Sequence, residues 1–362
     1  MLEFLVNCIK FLHVHIFCMV CNKCLLKLFF VLLIFSSFSI MCCKIIISIF
    51  KIIVRSFLKN VDNFIKVEKR GIVVRAKNFL ISIFLFILFV SLYWCSVRTQ
   101  QGQIIDVSIL YAHIDYSNIL KISAYALLTN ATKLIVICGV VIIVLIGVFK
   151  KEYKKTLLVV FLILFSNICT QVFKHFIFSY PDFSIVYSFK NSYPSGHVTL
   201  IASVMFGFIL IMPTYYKNLM RYISLIFIIL FSVSVCVASW HKISDVVGSL
   251  LLTTGIYLLF VSIFTVNVDN SFHSLNGKIY KYKYSLCSIF LGVLCIVALY
   301  LIYFESLEAN SRNSVQFFEI TSSFAFSVLA VCIKLLLIIG VSFCVNNLVT
   351  RAGFLLKNFD GK

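Results

Sequence analysis

Two short stretches of this chain carry residue types able to do acid–base and nucleophilic chemistry: Pro194-Ser195-Gly196-His197, at the start of one apolar run, and Trp240-His241-Lys242-Ile243-Ser244-Asp245, at the end of another. Ser195 and Gly196 at a helix start offer a hydroxyl, a backbone without side-chain obstruction and unpaired N–H groups at the positive end of the helix dipole. Together these suit an anion such as phosphate. Lys174, at the exit of an upstream apolar run, adds a point charge. His241 and Asp245 are spaced to share a helix face, so the carboxylate can hold one ring nitrogen and leave the other free to attack. His197 remains as the acid for a leaving oxygen. Two histidines, a carboxylate and an anion cradle form a phosphoryl-transfer constellation that requires no metal. Taken singly, each piece has a plainer reading: Pro-Ser-Gly as turn and capping chemistry, the His/Asp pair as a local cap, Lys174 as an interfacial anchor. Their joint occurrence at one face of a membrane protein favours the chemical reading.

The elements that must position them are membrane helices. Of the 362 residues, 62% are hydrophobic and 12% charged, and the mean hydropathy is +1.06, far above a soluble domain. Apolar runs long enough for a hydrocarbon core of roughly 30 Å lie near Leu28 to Phe50, Asn78 to Val97, Leu134 to Phe149, Leu157 to Phe173, Val198 to Met212, Tyr222 to Trp240, Val246 to Val266, Tyr284 to Tyr303 and Phe324 to Val349. They are continuous rather than alternating, so the expected fold is an all-α, polytopic transmembrane helical bundle. Placing the basic segment Lys51 to Lys77 in the cytoplasm also puts there the Lys150 to Lys155 cluster, the Lys217 to Arg221 turn, the Lys278 to Lys283 loop and the tail from Arg351. The positive-inside rule favours this orientation. Lys174, the Pro194 motif and His241 then share the extracytoplasmic face of a cell membrane, and the net charge of +19 is mostly an orientation signal.

These residues resemble the motifs of the type 2 phosphatidic acid phosphatase superfamily. Its three motifs are a lysine followed by an arginine-proline pair, Pro-Ser-Gly-His, and a serine-arginine pair followed by histidine and, four residues later, aspartate. The resemblance implies a six-helix phosphatase core at residues 77–267, preceded by a membrane segment and basic linker at 1–76 and followed by two extra helices and a tail at 268–362. It also implies a phosphohistidine intermediate, with His241 as nucleophile, His197 as general acid, Asp245 orienting the nucleophile, and Lys174, Ser195 and Gly196 as phosphate ligands. Two departures stand out. Tyr180 precedes Pro181 where the family has arginine, with one residue fewer after Lys174 than usual, and Val235 takes the place of the third-motif arginine. Lys242, directly after the nucleophile, and Lys190, in the loop feeding the Pro194 motif, are the basic residues placed to replace the lost charge, though a lysine is a less directional clamp than arginine.

The expected substrate is a membrane lipid phosphate or polyprenyl pyrophosphate, with no cofactor, metal or nucleic-acid partner; composition leaves the oligomeric state open. A lipid phosphotransferase using the same intermediate is the nearest rival. A non-catalytic lipid-phosphate-binding relative is favoured by the missing arginines and opposed by the intact His197, His241 and Asp245. A transporter is disfavoured because matching halves are absent. Most of the 14 cysteines sit in apolar runs and act as small hydrophobes. Cys18, Cys21 and Cys24, with His13 and His15 upstream, have metal-compatible spacing but apolar surroundings, and are read as compositional bias. No cleaved signal peptide is expected. The stretch from Arg98 to Thr132 is read as a loop or short helix over the pocket, and Lys334, inside the last run, as pairing with a neighbouring helix or snorkelling rather than as a functional site.

Overall fold

The computed structural model describes residues 69–111, 118–181, 183, 191–213, 215–264, 319–320 and 323–355. The expected Leu28 and Tyr284 spans, the Cys18 to Cys24 cluster and Lys190 lie outside the described residues. Within them the architecture is all-α. Helices α1 (Lys69–Val97), α2 (Gln100–Tyr111) and α3 (Asn118–Ala126) are followed by a π-helical turn, Leu127–Ala131, that continues into α4 (Thr132–Phe149). Then come α5 (Tyr153–Val172), ending in a second π-helical turn, Phe173–Ile177, and α6 (Gly196–Ile211), α7 (Lys217–Val237), α8 (Ile243–Phe264) and α9 (Phe324–Leu355). Seven of the expected apolar runs are thus helices. Among the described residues, six segments are long and apolar enough to cross a membrane, with α6 as a shorter apolar helix.

The Arg98 to Thr132 stretch is more ordered than a loop. It supplies α2 and α3, and the helix expected from Leu134 is already running at Asn118.

Helix α6 is the centre of the bundle. It packs against α4, α5, α7, α8 and α9, and all its residues except Gly196, His197 and Leu200 are buried. Its 16 residues rise about 24 Å, short of the roughly 30 Å of a hydrocarbon core. Such a helix can end inside the bundle because protein rather than lipid surrounds it and can satisfy its terminal backbone groups. Close approach depends on small residues. A Cβ on Gly139 of α4 would stand 2.7 Å from Val204, and one on Gly207 of α6 would stand 2.9 Å from Val159 of α5.

Polar side chains fasten the same helix to its neighbours, as expected where lipid offers no alternative partner. Thr170 of α5 donates to the Thr199 hydroxyl at 3.1 Å, Tyr257 of α8 to the Ser203 carbonyl at 2.6 Å, and Ser224 of α7 to the Met205 carbonyl at 3.2 Å. Helix α1 joins through Ser82, which donates to the Gly255 carbonyl of α8 at 2.7 Å. At the far end from the motifs, Glu152 takes Lys150 at 2.5 Å and Lys155 at 3.0 Å, and Lys150 also reaches the last carbonyl of α6, that of Ile211, at 3.3 Å.

The three prolines of the chain, Pro181, Pro194 and Pro213, all fall between helices, where a missing N–H does no harm. Tyr193, fully buried, precedes the Pro194 motif and donates its hydroxyl to the Phe89 carbonyl at 2.7 Å. Its ring lies against Gly248, where an added Cβ would fall 2.5 Å from two ring carbons and the hydroxyl oxygen. Gly248→Ala is therefore expected to push Tyr193 out of place and to cost about 1–3 kcal/mol, as overpacking does. A lower apparent Tm in detergent, with less folded protein recovered, is the expected readout.

Candidate active site

The three motifs meet at one end of the bundle. Lys174 lies in the π-helical turn that ends α5, a device common at functional sites. Asn191 holds that turn against the Pro194 segment by donating its amide to the carbonyls of Lys174 at 2.8 Å and Phe178 at 2.7 Å. The Tyr193–Pro194 peptide bond is cis. Ser195 then takes the N-cap position of α6 with an extended backbone, but its hydroxyl makes no capping bond. That hydroxyl is buried without a partner. The Ser195 N–H donates to the Asp245 carbonyl at 3.2 Å, and Ser249 donates to the carbonyls of both Ser195, at 2.9 Å, and Asp245, at 2.7 Å. The start of α6 is thus tied to the start of α8. Gly196 keeps the approach open: a Cβ there would sit 3.4 Å from the Gln171 amide nitrogen.

His241 does not lie on a helix. Helix α7 ends at Val237, the chain reverses through Ser239 in the left-handed region (φ 56°), and α8 begins at Ile243. The Val235 carbonyl closes this turn by accepting the N–H groups of Trp240 at 3.0 Å and His241 at 3.4 Å. Even so, His241 Nδ1 faces Asp245 Oδ2 at 3.3 Å. The same oxygen accepts the Ser192 hydroxyl at 2.7 Å and the Lys242 N–H at 3.0 Å. Asp245 is fully buried and its other oxygen, Oδ1, has no partner. A His Nδ1 facing a carboxylate leaves Nε2 as the ring atom free for other contacts.

His197 stands across from it. The two imidazoles are 6.3 Å apart between centroids, and Trp240 flanks His197 at 5.3 Å. Lys174 and His241 both lie within electrostatic reach of His197, and Lys174 within reach of Asp245. The structure therefore brings Lys174, Ser195, Gly196, His197, His241 and Asp245 into one constellation.

Lys242 takes a different place. It is buried, and its ammonium lies over the Tyr180 ring, 4.6 Å from the centroid. Burial opposes its charge, yet Asp245, Asp106 and Tyr180 outweigh that and hold its pKa above the ordinary lysine value. Of the two expected arginine positions, Val235 is fully buried in the core and Tyr180 is the partner of Lys242. A guanidinium does stand beside the Tyr180-Pro181 pair, carried by the end of α1: Arg98 donates to the Ser179 hydroxyl at 2.7 Å.

Two residues of this neighbourhood escaped the sequence reading. Ser192 serves Asp245 directly. Asp106, on α2, is fully enclosed and accepts both the N–H of Ser244, at 3.4 Å on Oδ1, and the Ser244 hydroxyl on Oδ2. The available signal for Asp106 was a lone carboxylate inside the apolar stretch Ile104 to Tyr111.

Burial lifts the Asp106 carboxyl from the ordinary 3.8 to about 6, with Lys242 pulling it down and Asp245 pushing it up. Tyr180, Tyr193 and Cys236 also feel its charge. A carboxyl whose pKa is higher folded than unfolded binds more protons in the native state, so its contribution to stability falls as pH rises from about 4 to about 6. The apparent Tm of the wild type should accordingly drop across that window more than that of Asp106→Asn, which lacks the group. Parallel melting curves for the two proteins would disprove the shift.

Residues 155–269 match the family model described as the PAP2 superfamily. No curated protein and no solved structure matches the chain. The matched stretch runs from α5 to just beyond α8 and holds Lys174, Ser195, Gly196, His197, His241, Lys242 and Asp245, leaving Asp106 and Arg98 outside. A segment that matches the PAP2 superfamily, with its motif residues converging at one end of a set of membrane-length helices, supports a membrane phosphatase-type protein.

Proposed function

We propose that the protein is an integral membrane phosphatase that hydrolyses a lipid phosphate or polyprenyl pyrophosphate through a phosphohistidine intermediate. The observation that carries this reading is the pairing of His241 Nδ1 with a buried Asp245 at 3.3 Å, opposite His197 and beside an unpartnered Ser195 hydroxyl at a helix N-terminus. Lys174, the Ser195 hydroxyl and the first amides of α6, at Gly196, hold the phosphoryl oxygens. His241 Nε2 attacks phosphorus while its Nδ1 proton stays on Asp245's side, the P–O bond to the leaving group breaks, and His197 donates a proton to the departing oxygen. Water then attacks phosphorus, giving a proton to His197 as the new P–O bond forms and the P–N bond to His241 breaks, and inorganic phosphate leaves with His241 restored.

Lys242 contributes positive charge beside the phosphoryl group in place of the missing arginines. The orientation that puts the Lys150 to Lys155 cluster in the cytoplasm puts this pocket at the extracytoplasmic headgroup level of the cell membrane. A substrate with a lipid tail can reach a pocket there between apolar helices. The absence of both motif guanidiniums, with Val235 in the core and Tyr180 against Lys242, favours a second reading, a non-catalytic relative that binds lipid phosphates.

Phosphate release from phosphatidic acid, lysophosphatidic acid, diacylglycerol pyrophosphate and polyprenyl pyrophosphate by the purified protein in detergent separates the two. Release from at least one of these is expected, together with its loss in His241→Ala by several orders of magnitude. Binding of the same lipids without release by folded wild type would establish the non-catalytic reading. Lys242→Met, which keeps the stem and removes the charge, is expected to lower turnover on the order of tenfold or more; full turnover in that variant would remove Lys242 from the site.

A further inference from the structure

Asp106 has no place in the reaction described above, yet it is built into the turn that carries the nucleophile. Helix α8 begins at Ile243, which makes Lys242 its N-cap, and a lysine side chain has no acceptor for the orphan N–H groups of a first turn. Two of those groups find acceptors, from two directions. Asp245, the third residue of the helix, reaches back to the Lys242 N–H at 3.0 Å, as the acidic partner of a capping box does. The other contribution comes from far away in sequence: Asp106 accepts the N–H of Ser244 at 3.4 Å and its hydroxyl as well.

Charge adds a second reason. Lys242 lies within electrostatic reach of both Asp106 and Asp245. Without Asp106, the buried ammonium would draw on Asp245 alone of the two carboxylates, the charge that also faces His241.

Helix α2 is itself pinned at both ends. Gln103 donates to the carbonyls of Val97 at 2.8 Å and Pro181 at 2.9 Å. At the other end the buried Lys334 of α9 reaches the Leu110 carbonyl at 3.4 Å, where a cation complements the negative end of the helix dipole. Asp106 is therefore presented from a fixed support.

We propose that Asp106 is a positioning residue for His241: it caps the start of α8 and gives Lys242 a counter-charge of its own, so that Asp245 stays committed to the imidazole. This rests on the phosphatase reading for its catalytic consequence, though not for its structural one. The lifted pKa of Asp106 fits a charge held at a cost to folding, as polar groups kept for function often are.

The test compares full-length wild type, Asp106→Ala and Asp106→Asn in detergent. Two readouts are needed, hydrogen exchange at the Ser244 amide and turnover of whichever lipid the wild type hydrolyses. In Asp106→Ala the Ser244 amide is expected to exchange about fivefold faster or more, the effect of a lost helix cap. Its kcat is expected to fall on the order of 10- to 100-fold with KM changed by less than about twofold, the signature of a misplaced catalytic group. Asp106→Asn keeps an acceptor for Ser244 and should recover the protection together with part of the turnover.

A merely structural role would reduce the yield of folded protein and leave kcat per folded molecule unchanged, and that result would overturn the proposal. So would unchanged Ser244 exchange in Asp106→Ala. A wild type that releases no phosphate would count against the phosphatase reading alone, and the exchange measurement would still decide the role of Asp106.

Discussion

A carboxylate enclosed at the end of an apolar bundle is costly unless its oxygens are occupied, and the demands of Asp245 organise everything around it. One oxygen gathers the Ser192 hydroxyl, the Lys242 amide and the His241 ring. Its backbone carbonyl takes the Ser195 amide and the Ser249 hydroxyl. Through these contacts a single residue fixes the start of α8, the turn that carries His241 and the entry of α6. Loss of the carboxylate would remove the acceptor of three groups at once.

The bundle provides the rigid frame that this arrangement requires. Helix α6 is surrounded by five others and is tied to three of them by hydroxyl hydrogen bonds. Its N-terminal amides and the unpartnered Ser195 hydroxyl consequently point from a fixed element rather than from a loop. Gly139, Gly207 and Gly248 allow that packing to be close, and in Gly248 the same smallness seats Tyr193 immediately before the motif. Packing and chemistry meet in this one short helix.

Charge is distributed unlike the family pattern. Where arginines are expected, the chain has a core valine and a tyrosine, and the positive charge nearest His241 in sequence, Lys242, is turned toward Tyr180, Asp106 and Asp245. An ammonium so placed acts through its field, whereas an arginine would add bidentate geometry. Lys174 and the helix N-terminus are then the groups with the geometry to contact an anion directly. Arg98 shows that a guanidinium can return to the first motif from another helix altogether.

Much of this was legible in the residues themselves. Continuous apolar runs specify membrane helices because lipid leaves the backbone no partner but itself. The histidines, the aspartate, the serine, the glycine and Lys174 were readable because local spacing is what places a side chain at a helix end. For the Arg98 to Thr132 stretch the sequence left a loop and a short helix both open, since its polar start resembles a loop and the burial of α2 depends on neighbours in α8 and α9. Nor could spacing reveal that His241 sits ahead of the helix rather than on it, or that Lys242 faces inward. Asp106 lies 138 residues from the serine it caps. Contacts over such distances are decided by how helices pack against one another, an interaction between surfaces that no local pattern of residues encodes.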